Sequence, residues 1–443
     1  MIWPFRPHSP LPLEHKVECE RRFAAVARLL GPHGVSSASV LTPDDIDAVV
    51  AGCADDALPR RLFAFVSSRY VESSLSVDVR WDEPEDLTAN GMSLHYRFES
   101  DRAGLVTAIG LHPELKGLTC QLAAVTAVAA AEYFVKSNSL AESVPRGTFE
   151  ILPLIFGLGP IMANAALREV VEQPSAVTEL PWDRSRIGTV SALEFGYSMA
   201  LTEWTLDVMY EDVVSLLRPD AREGLGKGLR YLKKTNDCSF QPGFPERPSG
   251  DSVDVLSAQL RHNSSSMQLA TLMDMFAGDE VDGKLMHTVA ELLHHREVEI
   301  QCYAALLLGR CGSLSRSIHD ELVMLAEDGP VTLRRAAISA LRPGFENDGD
   351  LLEIVSGVLR RCDPTTAATC VSTLLKYDSY PEHLIDSLLK SLRSMVSSGR
   401  GDLELGVKLL RRIHDDPGAV VQQYFQDDPT ALAILAEQMD AVE

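Results

Sequence analysis

The sequence lacks the short patterns that identify most catalytic sites. It contains no HExxH, no GxSxG, no GxxxxGK[ST] and no GxGxxG. No helix-borne zinc pair, strained nucleophile turn or phosphate cradle is therefore written in it. Positive charge is also scarce, with 41 lysines and arginines against 63 aspartates and glutamates and a net charge of -22. Such a surface repels phosphate backbones, which argues against nucleic acid as a partner. None of the eight cysteines (Cys19, Cys53, Cys120, Cys238, Cys302, Cys311, Cys362 and Cys370) belongs to a CxxC pair, and their scatter is no disulfide framework. Several fall inside apolar helical patterns, where a free thiol behaves as a small core residue. A reducing cytoplasm is the expected compartment.

Long apolar runs are missing too. The stretches Leu118 to Ala131 and Ile151 to Leu167 fall short of the roughly 18–20 apolar residues of a membrane span. Pro153, Gly157, Gly159 and Pro160 interrupt the second. Both are expected to be core helices, with a re-entrant hairpin as the weaker alternative. The opening Met1-Ile-Trp-Pro-Phe-Arg-Pro7 has no apolar segment of the kind a signal peptide needs, so none is expected.

What is present is ordinary globular composition, 45% hydrophobic and 23% charged over 443 residues, enough for two or three domains. The pattern predicts a helix over 11–35, through Val17, Phe23, Ala24 and Val26 and ended by Gly31-Pro32. Shorter helices are expected at 44–50 and 59–67. The period then changes: Leu75, Val77, Val79 and Trp81 alternate with polar residues, the mark of a half-buried strand. Asn90-Gly91 signals a turn, and further strands are expected at 94–99 and 105–111. Apolar helices follow at 117–135 and 148–170, then helices at 190–217 and 221–234. Residues 1–238 therefore constitute an α+β domain with its strands early and its helices late. A proline-rich linker spans 239–252.

From 253 to 443 a helical template recurs. Met267, Thr271 and Met275 correspond to Ile300, Ala304 and Leu308, then to Leu333, Ala337 and Leu341. Ala367, Val371 and Leu375 continue the series, and Leu405, Leu409 and Ile413 end it, at spacings of 33, 33, 34 and 38 residues. The aromatic consensus of tetratricopeptide repeats is missing. Val331-Thr-Leu-Arg-Arg-Ala-Ala-Ile338 instead resembles the second helix of a HEAT-type repeat, so the fold expected here is an all-α HEAT-like solenoid.

Few residues remain as chemical candidates. His287, Glu291 and His294, with His295 beside them, would share a helical face at i, i+4 and i+7 and could hold a metal. Leu285, Val289, Leu292 and Leu293 make the opposite, apolar face, so a solvated histidine face is the expectation. Gly224, Gly226 and Gly228 alternate with no strand before them, which fits a helix packed tightly on a neighbour. His95 and His112 are expected at the surface or at strand ends. Glu132 is expected to be a buried acid or the polar edge of its helix.

At the apolar helices a resemblance emerges. Phe149-Glu-Ile-Leu-Pro-Leu-Ile-Phe-Gly157-Leu-Gly-Pro-Ile-Met-Ala-Asn164, Leu193-Glu-Phe-Gly-Tyr-Ser-Met-Ala-Leu201 and Gly228-Leu-Arg-Tyr-Leu-Lys-Lys-Thr-Asn236 are the stretches that carry it. With the Trp3-Pro-Phe5 start, residues 1–238 resemble a group of uncharacterised bacterial proteins with a zincin-like metallopeptidase domain. The resemblance implies HExxH on the first apolar helix and an acidic third ligand on the next. Its window falls on Leu122 to Val128, which places Ala124, Val125 and Val128 at the ligand, base and ligand positions and Glu150 at the acidic one. Three of the four groups are lost.

The expected protein is thus non-catalytic, without metal or cofactor: a degenerate zincin-like domain fused to a repeat array that docks a protein partner. The alternative is a metal-dependent hydrolase assembled from Glu150 with Glu132, His95 or His112. A third reading, peripheral membrane association through the apolar helices, is not favoured.

Overall fold

Prolines and side-chain caps fix many of the helix ends in this chain. The structure, a computed structural model, describes residues 8–30, 39–70, 77–82, 88–89, 92–93, 96–100, 105–137, 148–165, 167–170, 183–186, 190–206, 210–241, 252–278, 282–311, 314–342, 348–381, 383–399 and 401–441. The Trp3-Pro-Phe5 start, Gly31-Pro32, Asn90-Gly91 and His95 lie outside them. The described residues are mostly helical. Contacts divide the chain into two compact units, residues 1–249 with 264–270, and residues 250–263 with 271–443.

The first unit begins with α1 (Leu13–Leu30), α2 (Pro43–Val50) and α3 (Leu58–Ser67). Thr42 and Asp45 cap α2 reciprocally, and Pro43 occupies its first turn, where a missing N–H costs nothing. Then come β1 (Asp78–Trp81), β2 (Thr88–Ala89), β3 (Met92–Ser93), β4 (Tyr96–Ser100) and β5 (Val106–Leu111). β5 is central in a three-stranded sheet, parallel to β1 and antiparallel to β4. β2 and β3 form a small antiparallel ribbon.

The two apolar stretches become α4 (Thr119–Ser137), α5 (Thr148–Pro153) and α6 (Gly159–Ala165). α4 is apolar on nearly every side, and α2, α3, α5 and α6 pack around it, as expected of a core helix. A π turn at Leu154–Leu158 joins α5 to α6. Gly157 there has φ +83, and a side chain would collide with the Ser39 carbonyl, so only glycine fits. Two expectations are corrected in this region. Thr148–Ala165 is an 18-residue helical stretch, long and apolar enough to cross a membrane by length and composition, although 78% of it is buried inside the protein. The expected helix to 170 stops at Ala165, and β6 (Leu167–Val170) pairs antiparallel with β7 (Asp183–Arg186), a late ribbon where no strand was expected.

α7 (Ala192–Leu206) and α8 (Pro219–Thr235) complete the unit. α7 is shorter than expected, because residues 211–216 form a separate 3-10 turn. The two helices approach backbone to backbone. A Cβ on Gly196 would strike the Ala221 carbonyl, one on Gly224 the Leu193 carbonyl, and one on Gly228 the Tyr197 ring, whereas Gly226 faces open space. The alternating glycines are therefore a packing device. Gly196→Ala should cost about 1–3 kcal/mol by overpacking, while Gly226→Ala should gain up to about 1 kcal/mol from helix propensity. Urea unfolding of both variants would check this, and equal effects would contradict the close approach.

The second unit contains α9 (Val253–Leu260), the later part of α10 (Ser265–Ala277), α11 (Met286–Glu291), α12 (Val298–Arg310), α13 (Arg316–Asp328) and α14 (Val331–Ala340). It continues with α15 (Asp348–Leu359), α16 (Pro364–Leu374), α17 (Leu384–Ser398), α18 (Leu403–Ile413), α19 (Pro417–Tyr424) and α20 (Pro429–Ala441). Even-numbered helices pack in sequence, α12 on α14, α14 on α16, α16 on α18 and α18 on α20, while α13, α15 and α17 form a second row. Ser252, Ser315, Asp363, Asp402 and Asp416 cap the helices that follow them.

A recurrent basic contact ties successive even helices together. Arg310 donates to the carbonyls of Phe276 and Gly278, Lys376 to those of Ser339 and Leu341 (2.9 and 3.4 Å), and Arg412 to that of Leu375 (2.6 Å). Each cation thus meets carbonyls at the C-terminus of the even helix before its own, where they lack intrahelical partners and the helix dipole is negative. The template is corrected at its end. Leu405 and Ile413 are only half-buried, whereas Gly406, Val407, Leu409 and Leu410 make the buried face of α18.

Candidate functional site

The window singled out by the resemblance lies at the centre of the first unit. Ala124 and Val125 are each 2% exposed on α4, and Val128 is half-buried one turn beyond Ala124. Continuing that face by another turn gives Glu132. Its carboxylate accepts from the Tyr96 hydroxyl at 2.6 Å and pairs with Lys136 at 2.8 Å. Burial and the adjacent Glu132 push the Tyr96 hydroxyl well above the usual tyrosine range. Glu150 on α5 lies close enough to repel the Tyr96 phenolate as well, and its Oε2 accepts from the Val190 amide at 3.1 Å. Alanine and valine carry no lone pair for a metal and no transferable proton. Zinc, which the resemblance implies, therefore does not fit this donor set.

The other candidates disperse. His112 closes β5, buried rather than at the surface, and its Nδ1 accepts from the Glu114 amide at 3.2 Å. The histidines of the second unit are solvated, as expected, but their helix is not continuous: α11 ends at Glu291 and tightens into a 3-10 turn at Leu292–His294. His287, 85% exposed, pairs with Glu291 at 3.5 Å, while His294 pairs with Glu321 of α13 at 2.9 Å. The 3-10 turn breaks the i, i+4, i+7 stack, since its residues advance by 120° rather than 100°. Among the described residues, no three His, Cys, Asp or Glu side chains come together in a way that could hold a metal.

The most concentrated polar cluster escaped sequence reasoning. Lys16 and Glu20, one turn apart on α1, are both completely buried. The Lys16 ammonium lies 3.0 Å from Glu20 Oε1 and 3.4 Å from Asp237 Oδ2, and it donates to the Asp237 carbonyl at 2.7 Å and to Ser266 Oγ. Glu20 also accepts from Tyr197 Oη (2.8 Å) and the Ser239 amide (2.9 Å). Asp237 accepts from Tyr231 Oη, from Ser264 Oγ at 2.7 Å and from the Ser266 amide at 3.2 Å. Asn236, left-handed at φ 51, stops α8 and turns the chain toward Lys16.

Burial works against the Lys16 charge, but Glu20 and Asp237 outweigh it and hold the ammonium above the usual lysine range. For Asp237, burial opposes ionisation. Lys16 and the hydrogen bonds of Tyr231, Ser264 and Ser266 prevail and bring its carboxyl down to about 2. A lysine kept protonated cannot act as base or nucleophile, so this cluster is a structural clasp. Its sequence signal was the spacing of Lys16, Glu20, Phe23 and Ala27, which puts two charges on the face that carries buried Phe23 and Ala27.

With this geometry in hand, comparison with known proteins adds no relative: no protein-family model, no curated protein and no solved structure matches the chain.

Proposed function

We propose that the chain is a non-catalytic binding protein, in which a degenerate zincin-like unit accompanies a HEAT-like array that docks a protein partner. The observation that carries the reading is the substitution of the chemical positions of α4, where Ala124, Val125 and Val128 stand for ligand, base and ligand. The array half of the proposal is supported by the two rows of helices and by the recurrent Arg310, Lys376 and Arg412 contacts, which couple α12 to α10, α16 to α14 and α18 to α16. Stacked helix pairs expose long ridges suited to binding. Acidic side chains on such ridges would steer a basic partner.

Exposed apolar side chains allow the test. Met324 and Val331, 70% and 54% exposed, belong to the helical unit, and Leu105 and Leu216 to the first. The immobilised full-length chain would capture a partner from its native host. Met324→Glu with Val331→Glu should then weaken retention by roughly tenfold or more, and Leu105→Glu with Leu216→Glu should leave it unchanged. The reverse pattern would move the binding surface to the first unit and defeat the proposal.

A further inference from the structure

We propose that Lys376 is an acylation site, at which an acyl phosphate or acyl thioester converts the ammonium to an amide and releases one contact between α14 and α16. The residue stands just beyond α16 and is exposed. Its ammonium turns in on the end of α14, donating to the carbonyls of Ser339 at 2.9 Å and Leu341 at 3.4 Å. Arg310 and Arg412 make the equivalent contacts elsewhere in the row. A guanidinium stays protonated and resists acylation, so Lys376 is the one of these three that an acyl donor can convert.

The Lys376 ammonium is held differently from those of other lysines at the surface. Lys390 faces Asp386 at 2.7 Å, Lys408 faces Glu404 at 2.5 Å and Lys136 faces Glu132 at 2.8 Å. Among the described residues no carboxylate comes within ion-pair distance of Lys376, and Asp378, two residues on, is engaged by Arg412 at 2.5 Å. Carbonyl oxygens carry only partial charge, so they hold a proton less firmly than a carboxylate does. Arg342 follows directly on Leu341, whose carbonyl the ammonium touches, and so brings a second cation to the same corner. Partial burial of the ammonium and that Arg342 charge both lower its pKa from the ordinary lysine value. The geometry therefore supplies an amine that a small reagent can reach and that gives up its proton more readily than its carboxylate-paired counterparts.

The step balances with an acyl phosphate. Lys376 loses one proton to water, and its free amine attacks the acyl carbon. The C–N bond forms, the C–O bond to phosphate breaks, phosphate leaves with the electron pair, and the surplus proton on nitrogen goes to water. With a thioester, the thiolate is the leaving group. The product amide has no charge and one N–H where the ammonium had three, so the charge-assisted bonds to Ser339 and Leu341 are lost. Thr373 Oγ1 still donates to the Ile338 carbonyl at 2.9 Å. Acylation thus loosens the end of α16 against α14 without detaching it.

Acetyl phosphate and the full-length protein provide the test. Trypsin cuts the unmodified chain after Arg361, Lys376 and Lys390, whereas acetylation of Lys376 leaves residues 362–390 as one peptide, heavier by an acetyl group. At low conversion Lys376 should be acetylated roughly threefold or more faster than Lys390 or Lys408. In the acetylated protein, amide hydrogen exchange over 331–342 and 364–376 should rise by roughly threefold or more, with the first unit unchanged. Lys376→Arg should keep the wild-type exchange before and after the reagent, and Lys376→Gln should reproduce the rise without it. Acetylation of Lys390 or Lys408 as fast as Lys376 would overturn the site. Preferential acetylation of Lys376 with unchanged exchange, or the same rise in treated Lys376→Arg, would overturn the released contact.

Discussion

Replacing Lys16 by methionine should destabilise the first unit by about 3–5 kcal/mol, because Glu20 and Asp237 would be left as buried carboxylates without their cation. Methionine fills nearly the same volume, so cavity formation contributes little. Adding Glu20→Gln should recover part of the loss, since the remaining acid, Asp237, keeps Tyr231, Ser264 and Ser266. The pH dependence follows from the two shifts. Asp237 is depressed in the folded state, so its contribution is complete above the ordinary carboxylate pKa of 3.8 and is lost as the pH falls through about 2. Lys16 is raised, so its contribution is complete below 10.5 and is lost only at far higher pH. The clasp should hold throughout the intervening range. Urea unfolding followed by tryptophan fluorescence measures the effect; a loss under about 1 kcal/mol for Lys16→Met would mean that the charges are better solvated than their burial implies.

The same cluster alters the division of the chain. Ser264 and Ser266 lie beyond the proline-rich segment, yet residues 264–270 belong to the first unit and supply hydrogen bonds to Asp237 and Glu20. A boundary at 238 or 252, as composition suggests, would remove these partners. Composition marks where a chain is rich in proline and glycine, but it cannot show that a later helix returns its first turn to an earlier unit. That information lies in the tertiary pairings themselves, Ser264 and Ser266 with Asp237 and Ser266 with Glu20.

Local periodicity was legible where one physical preference dominated. Alternation located β1 through Val79 and Trp81, and the 3.6-residue period located the even helices through Ile300, Ala304 and Leu308. Tight α7–α8 packing was readable from Gly224 and Gly228, because glycines without a preceding strand leave close approach as their use. The register of α18 slipped because the last step of the template took 38 residues, whereas Lys376 and Arg412, which make the same contact, are 36 apart. The histidine set looked continuous for a related reason: sequence spacing assumes an unbroken helix, and the 3-10 turn at Leu292–His294 breaks it.

Restoring the chemical positions of α4 should turn an apolar core helix into a zinc site. In the triple variant Ala124→His, Val125→Glu and Val128→His, two imidazoles would project from one face a turn apart, with Glu150 on the neighbouring α5 as the third ligand. The position of Glu150 supports this choice. Its charge is felt at the Tyr96 hydroxyl, which bonds Glu132 one turn further along that α4 face. Glu150 would have to ligate while retaining or exchanging its hydrogen bond from the Val190 amide. Without metal the variant should lose about 1–3 kcal/mol for each polar group left unsatisfied in the core. Zinc at a hundred times its dissociation constant should return about 2.7 kcal/mol by favouring the folded state. Zinc content after identical purification, with thermal unfolding in chelator and in zinc, decides the matter. The wild type is expected to carry far less than one zinc per chain, and the triple variant close to one. Stoichiometric zinc in the wild type would overturn the degenerate-site proposal. A folded triple variant indifferent to zinc would show that the window does not face Glu150, leaving α4 and α5 as packed core alone.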